Sequence, residues 1–149
     1  MVKRTLTVET NIPEINKRMD KRVKIARQKV ARMIAQSVSM VRTSAVDGIQ
    51  GGPKTGRIYK RRSTSHQASS PGQYPASDTG NLASNISIKV KRRGNEYIGR
   101  VTSSADYSKH LEYGTMNIFA RPFMQPSLEK NRRKIVNKFK KAGLLRKLS

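Results

Sequence analysis

The stretch PEINKRMDKRVKIARQKVARMIAQSVSMVRTSA, from Pro13 to Ala45, decides the fold class. At 100° per residue, its apolar side chains fall in one stripe along a helix, and most of its cations fall on the other side. The stripe consists of Ile15, Met19, Val23, Ala26, Val30, Met33, Ile34, Ser37, Val38 and Val41. The pattern predicts a long amphipathic helix that runs to about Ala45, where DGIQGG at 47–52 is expected to end it.

The overall charge of the chain is strongly positive. Among 149 residues, 32 are Lys or Arg and 9 are Asp or Glu, which gives a net charge of +23. Such a balance indicates a polyanionic partner, either nucleic acid or an anionic membrane surface. There is no apolar run of membrane-spanning length, so we expect no membrane insertion. The length suits a single domain over 1–149, with 46–78 as an extended loop or arm.

The positive charge is concentrated near the two ends of the sequence. The net charge is +8 over 1–46, +6 over 47–120 and +9 over 121–149. A second basic amphipathic helix is predicted over 126–148. The cations predicted to contact phosphates are Lys17, Lys21, Lys24, Arg32, Lys134, Lys138 and Lys141. Binding of double-stranded DNA would be non-specific, because the sequence has neither a recognition-helix pattern nor an aromatic array. The alternative is a solvated face that keeps the protein soluble.

Shorter elements are predicted between the two helices. ISIKVKR and EYIGRVTS, around the turn RGN, predict an antiparallel hairpin. GRIYKRR at 56–62 could pair as an edge strand, and Asp78 is expected to cap a short helix that directs Leu82 inward. A further short helix is predicted in SADYSKHLEYG, with Tyr107, Leu111 and Tyr113 buried and Gly114 at its end. The fold class is therefore α+β, with the long helix packed on a small antiparallel sheet.

Signs of catalysis are weak. The chain has two histidines and no cysteine, and its nine acidic residues are scattered. Disulfides, thiol catalysis and Cys-rich zinc sites are therefore excluded. A metal site would need several carboxylates or imidazoles to converge. We expect no enzymatic activity, no cofactor and no small-molecule substrate.

Three segments, taken in order, resemble one protein family. They are SSPGQYPASDTGNLASNISIKV at 69–90, SADYSKHLEYGT at 104–115 and ARPFMQPSLEK at 120–130. They are similar to the small head–tail connector or tail-completion proteins of long-tailed bacteriophages, also described as minor tail or morphogenesis components. The chain departs from the family pattern at Tyr74, where a second proline is common, and at MNIF (116–119), where the linker is usually shorter.

The resemblance implies a structural virion protein of the phage neck. Such a protein would form a homo-oligomeric ring around the DNA channel, with head-closure and tail proteins as neighbours, after synthesis in the host cytoplasm. Family-motif residues that are candidates for subunit contacts are Asp78, Gly80, Asn81, Leu82, Glu112, Tyr113, Gly114, Thr115, Arg121, Pro122 and Phe123.

The corner before the last helix can be interpreted in two ways. Phe119 and Phe123 are expected to fix the turn against the sheet, and Arg121 is expected to bind Glu112 or a backbone carbonyl. The corner would then be either an intramolecular core or a contact between ring subunits. Two other functions stay open: a basic monomeric nucleic-acid-binding accessory protein, and a tail terminator ring.

Overall fold

The computed structural model describes residues 11–61 and 64–144. Its elements in chain order are α1 (Ile12–Gly51), β1 (Ile58–Arg61), β2 (Thr64–Gln67), α2 (Asn81–Ser84), β3 (Ile86–Arg93), β4 (Glu96–Ser103), α3 (Ser108–Tyr113) and α4 (Met124–Lys141). Strands β1 and β2 form one antiparallel pair, and β3 and β4 form another. The predicted α+β class is confirmed.

Helix α1 continues past its predicted end. It spans 40 residues, or about 60 Å at 1.5 Å per residue. A Cβ atom at Gly48 would lie 2.3 Å from the ring of Tyr74, so only glycine lets this ring cover the helix here. Ile49, one residue on, is fully buried. The burial of Ile49 and the Tyr74 ring outweighs the helix-breaking tendency of the glycines, and the predicted end at Ala45 is wrong.

The hairpin β3–β4 packs along α1, and its strand β3 runs antiparallel to the helix. Its register pairs Ile86 with Ser103 and Arg93 with Glu96, as the turn RGN requires. Near the start of β3, the Arg42 Nε donates a hydrogen bond of 2.8 Å to the Ile86 carbonyl. At the turn end, Arg92 lines a groove together with α1 residues from 20 to 31. The turn of the hairpin therefore lies towards the N-terminal half of α1.

Helix α4 also runs antiparallel to α1. Asn131 Nδ2 donates a hydrogen bond of 2.7 Å to Ser44 Oγ, and one turn later Ile135 lines a groove together with Ser37. The helix begins at Met124, two residues before its predicted start, since Pro126 is tolerated in a first turn. The described helix ends at Lys141, and the last part of the prediction, 145–148, lies outside the described residues.

The core lies beside the C-terminal half of α1. It consists of Ala45, Ile49, Leu82, Ala83, Ile86, Ala105 and Phe123. Among residues 11–61 and 64–144, nothing covers the first half of α1 in this way, and residues 12–29 of the helix are all exposed. The same apolar stripe is thus buried over one half of the helix and open over the other.

The segment 46–78 holds more regular structure than the predicted loop. Its first residues belong to α1, and the predicted strand in GRIYKRR is present as β1, paired with β2. The pairing continues beyond the strands, because Gly56 N–H donates to the Ala68 carbonyl at 2.8 Å and Ala68 N–H to the Arg57 carbonyl at 3.0 Å. Whether this segment contacts a neighbouring subunit stays a prediction.

Candidate functional site

The three motif segments meet around one cleft of about 490 Å³. Residues 75–82 form one wall, Tyr107 and Leu111 come from the second segment, and Arg121 comes from the third. His66 and Ser69 complete the lining beside the β1–β2 hairpin. The sequence motifs therefore mark one place in the fold, and we call this region the motif end of the molecule.

Arg121 ties the third segment to the residues that follow β2. Its Nε donates a hydrogen bond of 3.0 Å to the Ser69 carbonyl, and its backbone N–H donates one of 2.7 Å to the Leu111 carbonyl. The Ala120 carbonyl accepts a further bond of 2.9 Å from Gly72 N–H. Of the two expected partners, Arg121 thus binds a backbone carbonyl and not Glu112.

Glu112 instead caps helix α4. One carboxylate oxygen accepts hydrogen bonds from the backbone N–H groups of Phe123, at 2.8 Å, and Met124, at 3.0 Å. The other oxygen accepts one from Gln125 N–H at 2.9 Å. The first N–H groups of a helix lack partners within the helix, and the dipole there favours negative charge. The Leu-Glu-Tyr-Gly-Thr motif therefore fixes the start of α4.

The aromatic residues of the corner divide into buried and exposed. Phe123 is only 1% exposed and sits in the core, as expected. Phe119 is 76% exposed and Tyr113 is 79% exposed, so the predicted burial of both is wrong. Tyr107 is also exposed, and its hydroxyl accepts a hydrogen bond of 3.2 Å from Asn81 Nδ2. The physical reason is that α3 has only six residues and buries one side chain, Leu111, against the core.

The Pro-Ala-Ser-Asp-Thr-Gly-Asn-Leu motif also differs in part from its prediction. Helix α2 begins at Asn81, and Gly80, with φ of 77°, occupies the N-cap position that Asp78 was expected to take. Asp78 lies with its Oδ1 atom 3.7 Å from His66 Nδ1, across the cleft from α2. Leu82 is buried as predicted. The N-cap position is therefore taken by Gly80, and the Asp78 carboxylate lies near His66 of β2.

Sequence patterning missed a buried polar seam between α1 and α4. Tyr74 Oη lies 3.1 Å from Ser127 Oγ, and Asn131 Nδ2 binds Ser44 Oγ and, at 2.8 Å, the Ser127 carbonyl. Ser127 and Asn131 are buried, whereas Leu128 is 49% exposed. The buried positions on this side of α4 are therefore polar, although the apolar Leu128 lies beside them. Serine and asparagine at four-residue spacing on a basic helix were the available signal.

The predicted phosphate-contacting cations gather towards the other end of the molecule. On α1, Lys17, Lys21, Lys24 and Arg32 are exposed on the side opposite the apolar stripe. On α4, Lys134 and Lys141 are exposed and Lys138 is half-buried. Helix α4 and strand β3 both run antiparallel to α1. The C-terminal end of α4 and the turn of the β3–β4 hairpin, both rich in Lys and Arg, therefore lie towards the N-terminal half of α1. We call this region the basic end.

In the described part of the chain, few cations of the basic end are paired with acidic side chains. Arg18 pairs with Glu14 at 2.6 Å and Arg132 with Glu129 at 3.5 Å, and all four side chains are mostly exposed, so each pair stabilises the fold very little. The turn end of the hairpin adds Lys89, Lys91, Arg92, Arg93 and Arg100. Like charges at this density create a positive potential that attracts a polyanion.

Comparison with known proteins shows which family the chain belongs to. Residues 13–114 match the family model described as "Bacteriophage HK97-gp10, putative tail-component". The chain belongs to this HK97-gp10-like family. The match begins at the first turn of α1 and ends at Gly114, so it contains both the long helix and the motif segment 75–82. No curated protein and no solved structure matches the chain significantly.

Family membership supports the resemblance read from the motifs. A phage tail component is a structural part of the virion and interacts with other virion proteins. Among residues 11–61 and 64–144, no group of His, Asp and Glu is placed to hold a metal ion. Within the same ranges, no helix has the length and apolar character to cross a membrane.

Proposed function

We propose that this HK97-gp10-like protein is a ring-forming structural protein of the phage neck, a head–tail connector or tail-completion protein. Many copies surround the channel through which DNA passes between head and tail. The observation that carries the proposal is the separation of two sets of residues: the motif residues gather around the cleft, whereas the cations predicted to contact phosphates lie on α1 and α4, away from the cleft lining. Family membership as a tail component supports the same assignment.

The basic end is the surface proposed to approach DNA. Its cations come from α1, α4 and the turn end of the β3–β4 hairpin, and in the described part of the chain residues 12–29 of α1 are all exposed. Such a surface neutralises phosphates without reading bases. A ring around DNA also fits the net positive charge of the chain. The copies repel one another, but each is attracted to the DNA that they surround, and this attraction offsets the repulsion.

The motif end is the surface proposed to hold the ring and its neighbours. Residues 63–77 contain no Lys, Arg, Asp or Glu, in a chain with a net charge of +23. Two copies, or a copy and a head-closure or tail protein, meet over this uncharged stretch, with Lys60 of the paired strand β1 beside it. The motif residues proposed for such contacts are those at the cleft surface, including Asp78, Gly80 and Asn81.

Electron microscopy of phage particles made without this protein tests the proposal. We expect DNA-filled heads that are not joined to tails. Full-length tailed particles filled with DNA would overturn it. The particle mass of the purified full-length chain provides a second test: a ring-sized assembly, alone or with neck proteins, supports the proposal. A monomer that binds DNA tightly and with steep salt dependence, and that ignores virion proteins, would favour the accessory-protein alternative.

A further inference from the structure

A short segment before α4 exposes an unusual amount of apolar surface. Within residues 113–119, Tyr113 is 79% exposed, Met116 is fully exposed, Phe119 is 76% exposed and Ile118 is 42% exposed. We call this segment the knob. It carries no charged residue. Exposed clusters of Tyr, Met and Phe are typical of protein–protein contact sites, whereas single exposed apolar residues are ordinary.

The backbone of the knob is fixed in a tight turn. Thr115 N–H donates to the Ile118 carbonyl at 2.8 Å, and Ile118 N–H donates to the Thr115 carbonyl at 3.3 Å. Gly114 has a φ of 75°, and a Cβ atom there would lie 2.8 Å from the Ile118 carbonyl oxygen, so the turn requires glycine. A rigid turn holds the side chains outward before any partner arrives, which reduces the entropy lost on binding.

The same chain presents an apolar groove of about 520 Å³. It lies between α1, β4, α3 and the first turns of α4. Its apolar lining includes Val38, Val41, Val101, Met124, Leu128 and Ile135. The exposure of Met116 and Phe119 means that neither side chain fills the groove of its own chain.

We propose that the knob of one copy occupies the groove of a second copy. The charges of the groove and of the knob indicate that the groove binds another copy of this chain. The groove is lined by one lysine, Lys109, and one acid, Glu112, so its net charge is zero, and the knob is uncharged. For a chain of net charge +23, this is a place where another copy approaches without strong repulsion. A basic or acidic partner finds no complementary charge here.

The inference rests on the proposed function in one respect, because it names a contact through which the proposed ring is built. Tyr113 lies at the border of the groove, whereas Met116, Ile118 and Phe119 are not part of its lining. One copy can therefore offer these three side chains while its own groove receives those of another copy. The family match ends at Gly114, and residues 115–119 lie outside it. Val38, Val41 and Val101 of the groove lie within the matched range, so the contact joins the matched region of one copy to residues outside it in another.

Engineered disulfides test the contact directly, because the natural chain has no cysteine. Full-length Met116→Cys protein is mixed under mild oxidation with full-length Leu128→Cys protein that carries a larger tag. The tag separates the mixed disulfide from either homodimer by mass. The control pairs Met116→Cys with Ile25→Cys, which places the second cysteine at an exposed apolar position at the other end of α1.

We expect the mixed disulfide to form at least tenfold faster with Leu128→Cys than with Ile25→Cys. Equal rates, or a predominance of the Met116→Cys homodimer, would overturn the proposal. The Met116→Ser/Phe119→Ser variant gives an independent readout. Its melting temperature should equal that of the parent, since both side chains are exposed, and its self-association should weaken on the order of tenfold or more.

The outcomes separate this inference from the proposed function. A specific mixed disulfide in an assembly that stops at two copies supports the knob contact and contradicts the ring. Rings that form equally well from the parent and from Met116→Ser/Phe119→Ser support the ring and contradict the knob contact.

Discussion

The motif end and the basic end of the molecule are built on the same helix but are stabilised by opposite means. At the motif end, α1 is covered by α2, the start of β3 and α4, and Ala45 and Ile49 are fully buried. At the basic end, α1 keeps its apolar stripe and its cations in solvent. The comparison teaches that, in the described part of the chain, the fold buries the apolar stripe of α1 at one end and leaves it exposed at the other.

The largest test of this difference compares two phenylalanines that are four residues apart. Phe123→Ala removes a ring from the core at the motif end, so we expect the free energy of unfolding to fall by about 3–5 kcal/mol. Phe119→Ala removes an exposed ring, and we expect a change within about 0.5 kcal/mol. Urea denaturation followed by circular dichroism measures both. Equal losses would mean that Phe119 is buried in solution.

The second test removes the charge that starts α4. Glu112→Gln keeps the size of the side chain but loses the negative charge that accepts three backbone hydrogen bonds, so we expect a loss of about 1.5–3 kcal/mol. Glu129→Gln, on the surface of the same helix, is the matched control and should change stability by less than about 0.5 kcal/mol. The measurement is again urea denaturation. A Glu112→Gln protein as stable as its control would contradict the capping role.

The third test concerns the polar seam. Asn131→Ala leaves the Ser44 hydroxyl without its side-chain partner between two helices, and we expect a loss of about 1–3 kcal/mol. Asn137→Ala, on the exposed side of α4, serves as the control and should be close to neutral. Thermal unfolding of the two variants measures the difference. If both melt with the parent protein, the seam does not hold α4 against α1.

The smallest effect on stability is expected at the basic end. Lys17→Gln/Lys21→Gln removes two exposed charges, and we expect no measurable loss of folding free energy. The slope of log affinity for duplex DNA against log salt should become shallower by up to about 2, because each phosphate contact contributes about 0.9. Lys54→Gln/Lys60→Gln makes the same change of charge beside the motif end. Equal slopes for the two variants would contradict a DNA-facing basic end.

The sequence predicted elements wherever one periodicity dominates over many residues. The stripe from Ile15 to Val41 predicted α1, and the alternation around RGN predicted the hairpin, while its register is known only from the structure. The approach of Tyr74 to Gly48 could not be predicted, because it joins residues 26 positions apart and reverses the local tendency of the glycines. For the same reason the end of α1 was placed six residues too early.

The candidate site was predictable as a set of residues but not as an arrangement. The motifs named Glu112 and Arg121, yet a short motif does not say which partner each side chain takes. Glu112 lies beside α4 only because the turn at Gly114 brings the chain back towards α3. The exposure of Tyr113 and Phe119 was missed because aromatic residues are usually buried, and six residues of α3 are too few to cover them.

The unbroken course of α1 has a mechanical consequence. A helix of about 60 Å, clamped over its C-terminal half and unsupported over its N-terminal half, acts as a lever. A tilt of about 10° at the clamped half displaces the far tip by about 5 Å, because the exposed half is about 30 Å long. A rearrangement that tilted the clamped half would therefore move the cations at the opposite tip further than it moves the core.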